Sequence, residues 1–187
     1  MKTVYLIHGW GGNPHNCWFP WLKSNLENLG YKVSAFPMPN SNEPAIAEWV
    51  RTLHKKITSV EESILVGHSV GCQAILRYLA SLDSTKQFEG VFLVAPWLRL
   101  TGLETSEEVQ IAEPWIALPF DWKKAKARSK SFTALFSDND PFVCVEDESI
   151  FEKMLKAKIF VEEKKGHFDD EAGIVKLPLL LDEIKKL

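Results

Sequence analysis

Apolar residues along this chain alternate between short, nearly unbroken runs and a spacing of three to four residues. Six runs rich in β-branched and aromatic residues read as strands: TVYLI (3–7), YKVSAF (31–36), SILVG (63–67), GVFLVA (90–95), FTALFS (132–137) and KIFVE (158–162). Runs without a polar alternate suit strands covered on both faces, as in a parallel sheet whose crossover helices lie on each side. The intervening segments carry the helical period. Trp18, Leu22, Leu26 and Leu29 share one face, with Gly30 placed to end the helix. Ile46, Trp49, Val50, Leu53 and Ile57 form a second stripe, with Pro44 near its first turn. Cys72, Ile75, Leu76 and Leu79 form a third, and Leu177, Leu180, Leu181 and Ile184 a fourth. The pattern predicts a three-layer αβα arrangement around about six mainly parallel strands.

One stretch breaks the alternation. Residues 96–131 separate the fourth and fifth runs and are long for a plain crossover. The expectation is an irregular part carrying Trp97, Trp115 and Phe120, followed by a helix beginning near Asp121. A low rim made of those three aromatic residues would give the protein an apolar wall for substrate in place of a large lid.

Composition narrows the possibilities. At 187 residues, 45% hydrophobic and 25% charged, the chain suits one domain spanning 1–187. A net charge of −3 with scattered Lys and Arg leaves no footprint for nucleic acid and no polybasic membrane segment. Cys17, Cys72 and Cys144 are odd in number and lack CxxC spacing, so neither a disulfide framework nor a zinc site is expected. The first apolar run is too short for a signal peptide or a membrane span, which points to the cytoplasm.

The third run ends in GHSVG, which puts Ser69 on a sharp turn from strand to helix between Gly67 and Gly71. Larger side chains two residues to either side would collide with the adjoining strand and helix. Such a turn aims unpaired N–H groups at the start of a helix toward whatever reacts at the serine. A serine nucleophile needs a base, and the base needs a group that fixes its tautomer.

Of five histidines, His167 in GHF follows the last strand and shares its sheet edge with Ser69. His68 is expected to project away across the turn, His8 and His15 belong to the first loop region, and His54 to a solvated helix face. The acid should follow the fifth strand, where SDNDPFV offers Asp138 and Asp140. Pro141 restrains Asp140 and favours it as the fixed carboxylate, while Asp138 suits bonds to local backbone N–H groups. In the first loop, HGWGG lets backbone approach a ligand, and the N–H groups of Trp10 and Val70 are the expected oxyanion hole. The order Ser, Asp, His along the chain is that of the α/β-hydrolase fold.

With HGWGG, GHSVG, SDNDPFV and GHF in this order at strand ends, the chain resembles the small serine hydrolases of the retinoblastoma-binding-protein-nine and YdeN-like group, from Val4 to Leu187. The resemblance implies a compact α/β-hydrolase without leading antiparallel strands or a large lid, with Ser69 as nucleophile, Asp140 as acid and His167 as base. It implies a serine hydrolase or esterase acting on a small-molecule ester, with no metal or organic cofactor. Binding to a retinoblastoma-type partner belongs to an animal member, and no feature of this sequence supports a protein partner. Two other readings fit the same scaffold: a partner-binding module with a vestigial site, and an amidase or peptidase.

Overall fold

A computed structural model describes residues 1–83 and 85–187. Six strands, β1 (Thr3–Ile7), β2 (Lys32–Ala35), β3 (Ser63–His68), β4 (Gly90–Val94), β5 (Phe132–Ser137) and β6 (Lys158–Glu162), form one sheet in the order β2-β1-β3-β4-β5-β6. Every neighbouring pair is parallel. The seven α-helices among the described residues are α1 (Phe19–Asn28), α2 (Ile46–Lys56), α3 (Val70–Ser81), α4 (Ser106–Ala117), α5 (Trp122–Ala127), α6 (Glu148–Leu155) and α7 (Pro178–Ile184). This is the hydrolase-type α/β architecture.

The sequence pattern follows from burial. The inner strands β3, β4 and β5 are buried at every position, and β1 at all but its first, whereas the edge strands β2 and β6 are only half-covered. Trp49, Leu53 and Ile57 pack their stripe into the core, and the chain leaves α1 through Gly30 at φ 86°, a left-handed turn suited to glycine. Leu29, expected on the buried face of α1, is the helix C-cap and half exposed.

Residues 96–131 depart from expectation. Where an irregular segment was predicted before Asp121, the chain forms α4, opened by a capping box in which Thr105 accepts from the Glu108 N–H and Glu108 accepts from the Thr105 N–H. Pro114 lies inside this helix and removes one of its hydrogen bonds. The helix expected near Asp121 is α5, with the Asp121 side chain accepting from the Lys124 N–H at 2.9 Å.

Because all strands run the same way, their carboxyl ends share one edge. The chain steps outward from β1 to β2 and then back across to β3, which opens a crevice at that edge between the loops following β1 and β3. No helix among the described residues is long and apolar enough to cross a membrane.

Candidate active site

Ser69 stands between β3 and α3 with φ 53° and ψ −122°, a strained conformation that L-residues rarely adopt. Its N–H is tied to the Val94 carbonyl at 2.9 Å, and its own carbonyl accepts from the Cys72 N–H. The flanking glycines have identifiable neighbours. A Cβ on Gly71 would stand 2.6 Å from the carbonyl oxygens of Ile7 and His8, and one on Gly67 would stand 2.9 Å from the Cys72 nitrogen. The turn therefore fits only when both sites lack side chains.

His167 and Asp140 approach from neighbouring loops. Asp140 Oδ2 lies 2.8 Å from His167 Nδ1, with the Asp140 side chain 1% exposed and that of His167 11%. Asp140 Oδ1 accepts from the N–H groups of Phe142 and Val143 at 2.9 and 3.1 Å. Asp138 instead accepts from the Lys164 N–H at 2.7 Å and ties the loop after β5 to that after β6. Ser69 and His167 line the same cavity. Ser69 Oγ accepts from the Trp97 indole N–H at 3.4 Å and forms no hydrogen bond to His167 among the described residues. Such bonds commonly tighten only when substrate is bound.

The loop after β1 closes the opposite side. A Cβ on Gly9 would lie 3.2 Å from that of Ser69, so glycine lets this loop reach the serine. The loop is pinned by the Gly11 N–H on the Ser41 carbonyl and the Trp10 indole on the Asn42 carbonyl, both at 2.7 Å. Among the described residues, the N–H groups of Trp10 and Val70 meet no protein acceptor. His8 has both ring nitrogens engaged: Nδ1 donates to the Gly9 carbonyl at 2.8 Å and Nε2 accepts from the Met38 N–H at 2.9 Å. Burial pushes its pKa down, so it remains neutral and ties the end of β1 to the loop after β2.

The cavity holds about 460 Å³. Trp97, Trp115 and Phe120, expected as its wall, do not line it. Trp97 is buried beneath Ser69, with its carbonyl held by the Gln73 side chain. Trp115 packs edge-on against Trp49 and donates to the Pro44 carbonyl at 2.7 Å. Phe120 lies 5.2 Å from the buried Arg77 guanidinium. Helix formation over 106–117 turns Trp115 into the core, and the apolar wall comes from Leu100, Leu103 and Phe142 together with Trp10 and Phe19.

Glu108, Asp169, Asp170 and Glu171 line the same cavity, and no Lys or Arg does so among the described residues. The Thr105 and Glu104 N–H groups hold the Glu108 carboxyl below its ordinary range, so it stays ionised. Cys17 also faces the cavity, but burial and the Asp170 charge push its thiol up to about 12, so it is no thiolate at neutral pH.

Several residues that shape the site escaped the sequence reading. Asn139 accepts from the Gly166 N–H at 2.8 Å, and Ser137 Oγ accepts from the Lys165 N–H at 3.0 Å. Both belong to the SDND run, whose density of turn-forming side chains was the available signal. His68 lines the cavity instead of projecting away from the site, with Nε2 at 2.7 Å from the His167 carbonyl oxygen.

Comparison with known proteins agrees with this architecture. The model of a family described as serine hydrolase matches residues 4–186. The hydrolase YdeN of Bacillus subtilis is 32% identical over 182 residues, covering 97% of this chain and 93% of its own. Its crystal structure superimposes with a TM-score of 0.91 at 29% identity, covering 100% and 98% of the two chains. The rat serine hydrolase RBBP9 is 26% identical over 90% of this chain and 88% of its own. Est1E of Butyrivibrio proteoclasticus, solved with ferulic acid bound, shares the fold at 14% identity and a TM-score of 0.72, covering 100% of this chain and 87% of its own.

Proposed function

Because the chain belongs to the serine hydrolase family, we propose that it cleaves small carboxylic esters through a Ser69–His167–Asp140 triad and an acyl-enzyme. The observation that carries this reading is the Asp140–His167 pair at 2.8 Å, whose imidazole lines the same cavity as Ser69.

In this mechanism His167 Nε2 takes the Ser69 proton as Oγ attacks the ester carbonyl. Asp140 holds the Nδ1–H tautomer and stabilises the imidazolium as it forms. The N–H groups of Trp10 and Val70 receive the oxyanion; neither meets a protein acceptor among the described residues, and that of Val70 also carries the positive end of the α3 dipole. The imidazolium then protonates the leaving alcohol. Water, deprotonated by the same histidine, releases the acid and restores Ser69. Every step uses side chains and backbone N–H groups, and none calls for a cofactor.

The cavity supports a neutral substrate of modest size. Its wall of Leu100, Leu103 and Phe142 suits a short acyl or alkyl group, while four carboxylates at the same cavity disfavour an anionic one. Three free cysteines fit a cytoplasmic setting.

The direct test is hydrolysis of p-nitrophenyl esters of increasing chain length by the wild type and Ser69→Ala. Turnover of short esters that Ser69→Ala lacks supports the reading. Equal rates for the two proteins, or cleavage restricted to amide analogues, would refute it.

A further inference from the structure

The carbonyl of His167 is held by the side chain that immediately precedes Ser69. His68 Nε2 lies 2.7 Å from that oxygen. A carbonyl only accepts, so Nε2 carries the proton and donates it. The His68 ring is buried, edge-on to Trp18 and Phe19 at centroid distances of 6.0 and 6.5 Å, and 5.1 Å from the His167 ring. Gly9 is pressed against its other nitrogen, where a Cβ would come within 3.1 Å of Nδ1.

The backbone around His167 needs holding. Its two neighbours, Gly166 and Phe168, both adopt left-handed conformations, with φ 52° and 55°. A segment kinked twice in this way is fixed by its bonds rather than by a regular element. Each adjacent peptide has its own tether: Ser137 for the Lys165 N–H, Asn139 for the Gly166 N–H, and the Trp18 indole, at 3.0 Å, for the Phe168 carbonyl. The tether of the His167 carbonyl itself is His68.

We propose that His68 is a positioning residue: by donating its Nε2–H to the His167 carbonyl, it sets the reach of the base to the nucleophile that follows it in sequence. This inference rests on the Ser69–His167–Asp140 reading above. Adjacent residues share a peptide bond, so a bond from His68 to His167 fixes the base directly against Ser69's own backbone.

The chemistry explains why an imidazole suits this place. The ring is buried, and an imidazole supplies one N–H donor there without a net charge, whereas a Lys or Arg would have to be desolvated. A cation there would also oppose the imidazolium that His167 becomes during turnover. Burial, followed by the proximity of His167, lowers the His68 pKa to about 3, so it is neutral under working conditions.

The test compares wild type, His68→Phe and His68→Gln on a p-nitrophenyl ester, with folding checked by circular dichroism. Phe keeps an aromatic ring for Trp18 and Phe19 but has no donor; Gln places an N–H near the position of Nε2. The expected result is a fall in kcat of about 10- to 100-fold in His68→Phe with KM within about twofold, since small misplacement of a catalytic group costs about that much. Gln should recover kcat to within about fivefold of the wild type. If Phe does not pack, His68→Met provides a donor-free side chain of similar length. Wild-type kcat in the folded donor-free variant would overturn the proposal, as would a Gln variant equally slow, which would assign the effect to packing. In both cases an active wild type and a dead Ser69→Ala leave the triad standing, whereas an inactive wild type removes the triad and this inference together.

Discussion

Asp140 spans two roles with its two oxygens: Oδ2 meets His167 Nδ1 at 2.8 Å while Oδ1 is fixed by the N–H groups of Phe142 and Val143. The carboxylate is thus held in one orientation against the imidazole by the loop that Pro141 restrains. Asp140→Asn keeps the shape but offers His167 an amide, which favours the wrong tautomer. Its kcat is expected to fall by about 10³- to 10⁴-fold with little change in KM. Asp138→Asn keeps an oxygen for the Lys164 N–H and should stay within about tenfold of wild type. Steady-state kinetics of the pair checks the assignment, and comparable losses in both would contradict it.

Acid stability carries a second expectation. His68 and His8 both have pKa values lowered from 6.5 in the folded protein, His68 to about 3. A depressed folded value means that the unfolded chain binds the extra proton, so each contribution is intact above about pH 6.5 and is lost as pH falls toward the folded value. Between pH 6 and 4 His68 should remove roughly 1 kcal/mol of stability per pH unit, and His8 acts in the same direction. Denaturant titrations across that range should show His68→Gln with a shallower acid slope by about one proton. Parallel slopes would mean that His68 is not buried in the neutral form.

The corrected position of Trp115 separates packing from specificity. Packed on Trp49 and bonded to Pro44, it supports α4 from beneath, so Trp115→Ala should cost about 3–5 kcal/mol of stability. It should leave the preference among ester chain lengths unchanged. Phe142→Ala, by contrast, opens the cavity beside His167, whose ring it meets edge-on at 5.3 Å, and should shift the preference toward longer acyl groups. Melting temperatures and a chain-length series distinguish the two; a changed preference in Trp115→Ala with unchanged stability would reverse the assignment.

Charge at the cavity gives a fourth outcome. With Glu108, Asp169, Asp170 and Glu171 around it, an ester bearing a free carboxylate should react with kcat/KM at least about tenfold below that of a neutral ester of equal length. Salt at about 0.5 M should narrow the gap, since exposed charges are screened within a few ångströms there. A gap insensitive to salt would point to shape rather than charge.

Much of this architecture is legible in the sequence because it rests on local patterns. The six apolar runs coincide with the six strands to within a residue or so at either end; for the four inner strands this is because a strand covered on both faces leaves no polar alternate to blur its limits. The gathering of Ser69, Asp140 and His167 at one sheet edge is legible because each follows such a run. Helix α4 was obscured: Val109, Ile116 and Leu118 in or beside it are exposed, and Pro114 interrupts it, although Thr105 and Glu108 stand at capping-box spacing. The aromatic residues near it could not be oriented without that helix. His68 failed for a different reason, since its partner lies 99 residues away and nothing in the local pattern signals a pairing at that distance.

In the proposed mechanism His167 activates Ser69. Labelling of the purified protein with a fluorophosphonate, followed by intact mass and peptide mapping beside folded Ser69→Ala and His167→Ala, tests it most directly. One adduct on Ser69 is expected in the wild type and none in either variant. A folded wild type that stays unlabelled, or an adduct that persists in His167→Ala at the same rate, would contradict it.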